Sequence, residues 1–177
     1  MTVWTIGHST REIGEFVALF KENQIEVLAD VRRYPGSRRH PQFGQAQLAQ
    51  TLRDSGIEYV HMPELGGRRP ARPNSVNTAW RNAAFRGYAD YMETAEFAKA
   101  IENLIDVATR NRAVIMCAEA LWWQCHRGLI ADYLKSRGWR VLHIMGPAKV
   151  EEHPYTSAAR IVDGRLSYEA ADPLPLR

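Results

Sequence analysis

Short apolar segments that favour β-strands alternate with amphipathic helical segments along most of this 177-residue chain. The strand candidates are Val3–Ile6, Glu26–Val31, Ile57–His61, Ala113–Cys117 and Val141–Ile144. The fourth is apolar at every position, which is typical of a strand buried on both faces of a parallel sheet. Strands that alternate with helices predict an α/β fold, in which helices flank both faces of a mostly parallel sheet.

Helical periodicity marks the segments between these strands. The helix candidates are residues 11–23, 45–55, 80–91, 94–109 and 121–136, and Thr10 is the expected N-cap of the first helix. Near the C-terminus, Asp163-Gly164 between two β-prone pairs predicts a β-hairpin that adds antiparallel structure at an edge. Because no linker or repeat interrupts the chain, we expect residues 1–177 to form one α/β domain.

The composition narrows the class of protein. No segment approaches the roughly 20 apolar residues that cross a bilayer, and the N-terminus lacks the features of a signal peptide. Two cysteines are too few for a disulfide framework, so we expect reduced thiols in a cytoplasmic protein without a membrane partner.

Basic charge is carried mainly by arginine. Only four of the 23 Lys and Arg residues are lysines, and arginine recognises phosphate and carboxylate with two parallel hydrogen bonds. Residues 31–90 contain ten arginines against four acidic residues, which indicates an anionic partner, either a small molecule or a nucleic acid.

Polar or reactive residues follow four of the predicted strands. They are His8, Ser9 and Thr10 after the first strand, Asp30 and Arg32 at the second, Gly66, Gly67 and Arg68 beyond the third, and Cys117, Glu119, Cys125, His126 and Arg127 after the fourth. In open α/β sheets, ligands bind outside the carboxyl ends of the strands. We therefore expect these residues to form one site.

The segment Cys117–Arg127 has three interpretations. Cys117 lies between a strand end and a helix N-terminus, where a thiol has a lowered pKa, and is the expected nucleophile, with Glu119, His126 or His8 as the general acid or base. Alternatively, Cys117, Cys125 and His126, with His8 as a further candidate ligand, could bind a metal, although cysteines eight residues apart do not have the spacing of structural zinc sites. Both cysteines could also be small buried apolar residues.

Five ordered motifs resemble the domain of unknown function 488 family. They are TIGHSTR at Thr5–Arg11, DVRRYPGSRRHPQF at Asp30–Phe43, LGGRR at Leu65–Arg69, FRGYADYM at Phe85–Met92 and CAEALWWQCHR at Cys117–Arg127. The C-terminal segment EHPYTSAAR and the hairpin after it also resemble this family. The resemblance implies a cytoplasmic α/β protein and, because the family has no assigned activity, it provides no catalytic residues.

These observations favour an enzyme, a cysteine-assisted hydrolase or transferase for a phosphate-bearing substrate such as a nucleotide or nucleic acid. Cys117, Glu119, Cys125, His126 and His8 are its candidate catalytic residues. The candidate substrate- or anion-binding residues are Ser9, Thr10, Asp30, Arg32, Gly66, Gly67, Arg68 and Arg127. No metal or cofactor is expected in this interpretation. The alternatives are a nucleic-acid-binding module without catalysis and a Cys/His metal-binding protein.

Overall fold

A six-stranded sheet forms the centre of the molecule in a computed structural model that describes residues 1–36 and 38–171. The strands are β1 (Thr2–Gly7), β2 (Val27–Asp30), β3 (Glu58–His61), β4 (Ala113–Cys117), β5 (Arg140–Gly146) and β6 (Lys149–Glu152). Their order across the sheet is β3-β2-β4-β1-β5-β6. The first five strands of that order are parallel, and β6 pairs antiparallel with β5.

Helices cover both faces of this sheet. They are α1 (Ile13–Glu22), α2 (Gln45–Asp54), α3 (Ala83–Met92), α4 (Ala95–Arg110) and α5 (Arg127–Ser136). Helices α1 and α2 bury Phe16 and Leu48 against one face, whereas α3, α4 and α5 bury Tyr88, Ile101 and Leu129 against the other. The expectation of a single α/β domain with a mostly parallel sheet is therefore confirmed.

The alternation of side chains along β4 explains why this strand is apolar throughout. Val114 and Met116 pack into the core beneath α1 and α2, and Ala113, Ile115 and Cys117 pack into the core on the opposite face. All five residues are buried. Cys117 therefore leaves the sheet at the carboxyl end of β4, on the face covered by α3, α4 and α5.

Two predicted helix boundaries are wrong. Thr10 is exposed and does not cap the first helix, which begins at Ile13 after Glu12. The predicted helix 121–136 is interrupted, because Trp122–Gln124 form a 3₁₀ turn, Cys125 is extended, and α5 begins only at Arg127.

The C-terminal hairpin forms as predicted, but it does not extend the main sheet. Strands β7 (Arg160–Val162) and β8 (Arg165–Ser167) pair antiparallel through the turn at Asp163-Gly164 and make a separate two-stranded sheet. The antiparallel edge of the main sheet is β6 instead. Among the described helices, none combines the length and apolar character needed to cross a membrane.

Candidate functional site

A cleft of about 520 Å³ opens beyond the carboxyl ends of β2 and β4. Seven of the residues that sequence analysis places in the site line it: Arg32, Gly67, Arg68, Cys117, Glu119, Cys125 and His126. They come from three separate parts of the chain, which meet here because β2 and β4 are adjacent parallel strands. The structure therefore brings these seven residues together.

Two thiols and one imidazole form a compact cluster in the wall of this cleft. The Nδ1 atom of His126 lies 3.6 Å from the Cys125 sulfur and 4.0 Å from the Cys117 sulfur. The backbone N–H of Arg127 also donates to the Cys125 sulfur, at 3.5 Å. The 3₁₀ turn makes this proximity possible, because it returns the chain so that Cys125 lies beside Cys117.

The two thiols are electrostatically different. The hydrogen bond to Cys125, together with burial, raises the pKa of Cys117 well above that of an ordinary thiol. Burial acts in the same direction on Cys125, but the hydrogen bond with Cys117 and the contact with His126 outweigh it and lower the pKa of Cys125. The pair therefore keeps a proton on Cys117 and favours negative charge on Cys125.

A glycine makes room for the imidazole of the cluster. A Cβ atom at Gly67 would lie 2.9 Å from His126 Nδ1, so any larger residue there would push the ring away from the sulfurs. The Tyr88 ring packs against the imidazole with a centroid distance of 5.1 Å. Within the described residues, the buried Nε2 atom of His126 has no hydrogen-bond partner.

Arg127 directly follows the cleft residue His126 in the sequence, but it does not line the cleft. Its guanidinium is almost fully buried and donates to the carbonyl oxygen of Glu119 at 2.6 Å and to that of Ala120 at 3.3 Å. Gly7 permits the same backbone to approach β1, because a Cβ there would lie 1.9 Å from the Glu119 carbonyl oxygen. Arg127 thus holds the backbone of Glu119, whose exposed side chain lines the cleft.

Arg32 is fixed by an ion pair beneath the cleft. Asp30 is fully buried, and its carboxylate accepts from Arg32 Nε at 2.9 Å and from Nη2 at 2.6 Å. Arg32 Nη1 also lies 3.3 Å from His8 Nε2, and the His8 ring stacks on Phe43. Burial lowers the pKa of His8 to about 4, so this ring is neutral at pH 7 and accepts from Arg32. Asp30 and His8 therefore support the cleft from outside its lining.

The remaining predicted site residues also lie outside the lining. Ser9 has a left-handed backbone, with φ of 48°, and its N–H donates to the Ala118 carbonyl. Thr10 is exposed to solvent, and Gly66 packs against the backbone and Cβ of Arg33. These residues shape the neighbouring loops rather than the surface of the cleft.

The family model described as "Domain of unknown function DUF488" matches residues 12–134. The chain belongs to the DUF488 family. Comparisons with curated proteins and with solved structures give no match. The matched range of this DUF488 protein includes the whole Cys117–Arg127 segment and the arginine-containing motifs at Asp30–Phe43 and Leu65–Arg69, and it ends within α5.

Part of the cleft wall lies outside the candidate site residues. The additional lining residues include Arg33, Tyr34, Phe85, Tyr88 and Gln124. Arg33 and Tyr34 continue the loop that contains Arg32, so the position after β2 that identified Arg32 identifies them as well. The two aromatic residues of α3 gave no such signal, because their helical spacing is equally typical of core residues.

Proposed function

We propose that this DUF488 protein is an enzyme, a hydrolase or transferase that acts through a cysteine thiolate on a phosphate-bearing substrate. One observation carries the proposal: a dithiol–imidazole cluster lies in the wall of a cleft that also contains three arginines. Thiolate chemistry requires a sulfur that is deprotonated near neutral pH and reachable by substrate. A pair of unlike thiols beside an imidazole supports the first requirement, and their place in the cleft supports the second.

Cys125 is the better candidate nucleophile, although the position of Cys117 at a strand end had favoured Cys117. In the proposed reaction the Cys125 thiolate attacks an electrophilic carbon or phosphorus and forms a covalent intermediate as the bond to the leaving group breaks. The leaving group takes up a proton from solvent through Glu119. The Glu119 carboxylate then accepts a proton from water or a second acceptor, which displaces the sulfur. Cys117 donates a hydrogen bond to the Cys125 thiolate and thereby stabilises its negative charge.

The arginines supply anion recognition. Arg32 is held in place by Asp30, so much of its charge is already compensated. Arg33 and Arg68 are exposed at the cleft, and no carboxylate pairs with either in the described part of the chain. Glu119 is the acidic residue in the described lining, so the cleft favours anionic ligands.

Ligand binding tests the anion specificity. Inorganic phosphate, nucleoside monophosphates, and DNA and RNA oligonucleotides are titrated into the protein at low and high salt. We expect a phosphate-bearing ligand to bind more weakly as salt rises, and the Arg33→Ala and Arg68→Ala variants each to lose about tenfold in affinity. The Arg53→Ala variant on α2 is the matched control, because its exposed side chain bonds to Gln50 outside the cleft. Flat isotherms for every ligand at low salt would remove the phosphate-bearing substrate from the proposal.

Trapping tests the covalent step. With a ligand that binds, rapid quenching and peptide mass analysis should find an adduct on Cys125 that is absent from Cys125→Ser. An adduct on another residue, or unchanged turnover by Cys125→Ser, would contradict the nucleophile role. If oligonucleotides bind but no turnover of any phosphate-bearing ligand occurs, the protein is a nucleic-acid-binding module instead.

A metal-binding site is the second candidate, and the geometry favours it more than the sequence spacing does. One ligand atom from each of Cys117, Cys125 and His126 lies within 4.8 Å of the others. Two thiolates and an imidazole suit zinc, and three protein ligands would leave a fourth position for water or substrate. Elemental analysis of the purified protein separates the two candidates: stoichiometric zinc that is lost in Cys125→Ser would favour the metal site, and metal-free protein would exclude it.

A further inference from the structure

A buried carboxylate lies in α5, outside the lining of the cleft. Asp132 is fully buried, and its two oxygens accept from His153 Nε2, the Thr156 backbone N–H, the Thr156 hydroxyl and the Tyr168 hydroxyl at 2.6–2.9 Å. An ionised carboxylate accepts hydrogen bonds and cannot donate them. The proton on the His153 ring that faces Asp132 is therefore at Nε2.

This assignment determines the direction of every hydrogen bond that follows. We take the His153 ring with its one proton at Nε2, which leaves an acceptor at Nδ1; that atom lies 2.9 Å from His143 Nε2, so His143 then donates. His143 is then an acceptor at Nδ1, which lies 2.7 Å from the Thr5 hydroxyl. Thr5 donates to His143 and accepts from Arg127 Nη1 at 3.2 Å. Burial lowers the pKa of His143 to about 2, which keeps this ring neutral.

We propose that this buried chain of hydrogen bonds positions the backbone of Glu119 and Ala120 at the cleft. Its members, in order, are Arg127, Thr5, His143, His153 and Asp132. Arg127 reaches the two carbonyl oxygens with its second terminal nitrogen. The members of the chain are positioning residues, since they contact the segment that carries Glu119 and have no place in the cleft lining. The catalytic meaning of this arrangement rests on the proposed function, whereas the chain itself does not.

The chain also explains how a buried arginine is tolerated. Arg127 carries a positive charge and Asp132 a negative charge, and three neutral side chains connect them with hydrogen bonds that all point the same way. A buried charge requires a partner or several hydrogen bonds. Arg127 donates directly to three oxygen atoms, and the chain connects it to the distant charge of Asp132, so we expect the loss of one link to affect Arg127.

The buried hydrogen-bond network includes residues that lie beyond the range matched by the family model. His143, His153 and Tyr168 all lie after residue 134, where the match ends. His143 also stacks on Trp122 with a centroid distance of 4.6 Å, so the ring of β5 contacts the 3₁₀ turn between the two cysteines. Residues after position 134 therefore contact the segment that forms the cleft.

Substitutions at Thr5 test the chain at its central link. Thr5→Val has nearly the same volume and lacks the hydroxyl, Thr5→Ser restores it, and Thr2→Val is a control on the same strand outside the chain. The readout is the amide NMR signals of Ala120 and Leu121, because each follows a carbonyl that accepts from Arg127. We expect these signals to shift in Thr5→Val and to remain near the wild-type position in Thr5→Ser and Thr2→Val. Unshifted signals in Thr5→Val, or equal shifts in Thr5→Ser, would overturn the proposal.

The wild-type protein provides a second test that needs no variant to fold. Nitrogen-15 shifts of the two rings should show a proton on Nε2 and a lone pair on Nδ1 in both His143 and His153. A proton on Nδ1 of either ring would reverse the chain and overturn the proposal. Both NMR readouts are independent of catalysis. If Cys125 forms no covalent adduct, the proposed function is contradicted, and the NMR results still test the hydrogen-bond chain.

Discussion

Replacement of Asp30 by Asn should destabilise the protein more than any conservative surface change. The Asp30 carboxylate accepts four hydrogen bonds, from the Arg32 backbone N–H, Arg32 Nε, Arg32 Nη2 and the Tyr59 hydroxyl, at 2.6–3.0 Å. Asn keeps one oxygen but places an N–H₂ group where the other was. Two of the four donors would then face a donor, and the buried Arg32 charge would lose its partner.

The size of the effect follows from burial. Asp30 is fully buried and Arg32 is 7% exposed, and breaking a buried ion pair by removing one partner costs about 3–5 kcal/mol. In a domain of this length, each kcal/mol shifts the melting temperature by about 2–4 °C. We therefore expect Asp30→Asn to lower the melting temperature by about 6–20 °C.

Urea unfolding at neutral pH measures the loss of unfolding free energy, and thermal unfolding measures the change in melting temperature. Asp163→Asn is the matched control, because Asp163 is exposed in the hairpin turn, where asparagine is equally suited to the backbone; it should stay within about 0.5 kcal/mol of wild type. The double variant Asp30→Asn/Arg32→Met should be more stable than Asp30→Asn alone, since it leaves no unpaired charge. A loss below about 1 kcal/mol for Asp30→Asn, or no recovery in the double variant, would refute the argument.

Two further predictions concern buried histidines and glycines. Because the folded-state pKa values of His8 and His143 lie below their ordinary value, at about 4 and about 2, unfolding is favoured as pH falls through 6.5. Each ring should lower the free energy of unfolding by up to about 1.4 kcal/mol per pH unit, down to about pH 4 for His8 and about pH 2 for His143. Urea unfolding at a series of pH values should show a shallower pH dependence of this free energy in His8→Gln, and an unchanged slope would contradict the prediction. Gly67→Ala should cost about 1–3 kcal/mol because its Cβ meets His126. Gly14→Ala, in α1 with open space around the new Cβ, should stabilise by about 0.5–1 kcal/mol. Equal stabilities of the two alanine variants would contradict this account of the glycines.

Local patterns were sufficient to predict the five parallel strands and the position of the candidate site, but not the antiparallel edge strand β6. A fully apolar strand such as Ala113–Cys117 must be buried on both faces, and the carboxyl ends of parallel strands meet at one edge. These two rules place Cys117 and Arg32 in one cleft, and the structure does bring them together.

The details of the site depend on contacts that no local pattern encodes. The apolar spacing of residues 121–136 fits one helix, yet the chain breaks at Cys125, and only this break brings the second thiol beside Cys117. Arg127 follows a histidine and two cysteines and therefore resembled an anion ligand. Its actual partners include Thr5, 122 residues away in the chain, so sequence proximity was a poor guide.

Alkylation of the two cysteines across pH tests the central claim most directly. Iodoacetamide labelling followed by peptide mass analysis gives a separate pH midpoint for each thiol. We expect Cys125 to react with a midpoint below the ordinary value of about 8.5, and Cys117 to react only at higher pH. Cys117→Ala should raise the Cys125 midpoint, whereas Cys117→Ser, which retains a hydrogen-bond donor, should raise it less. Earlier labelling of Cys117, or ordinary midpoints for both thiols, would contradict a Cys125 thiolate at the centre of this site.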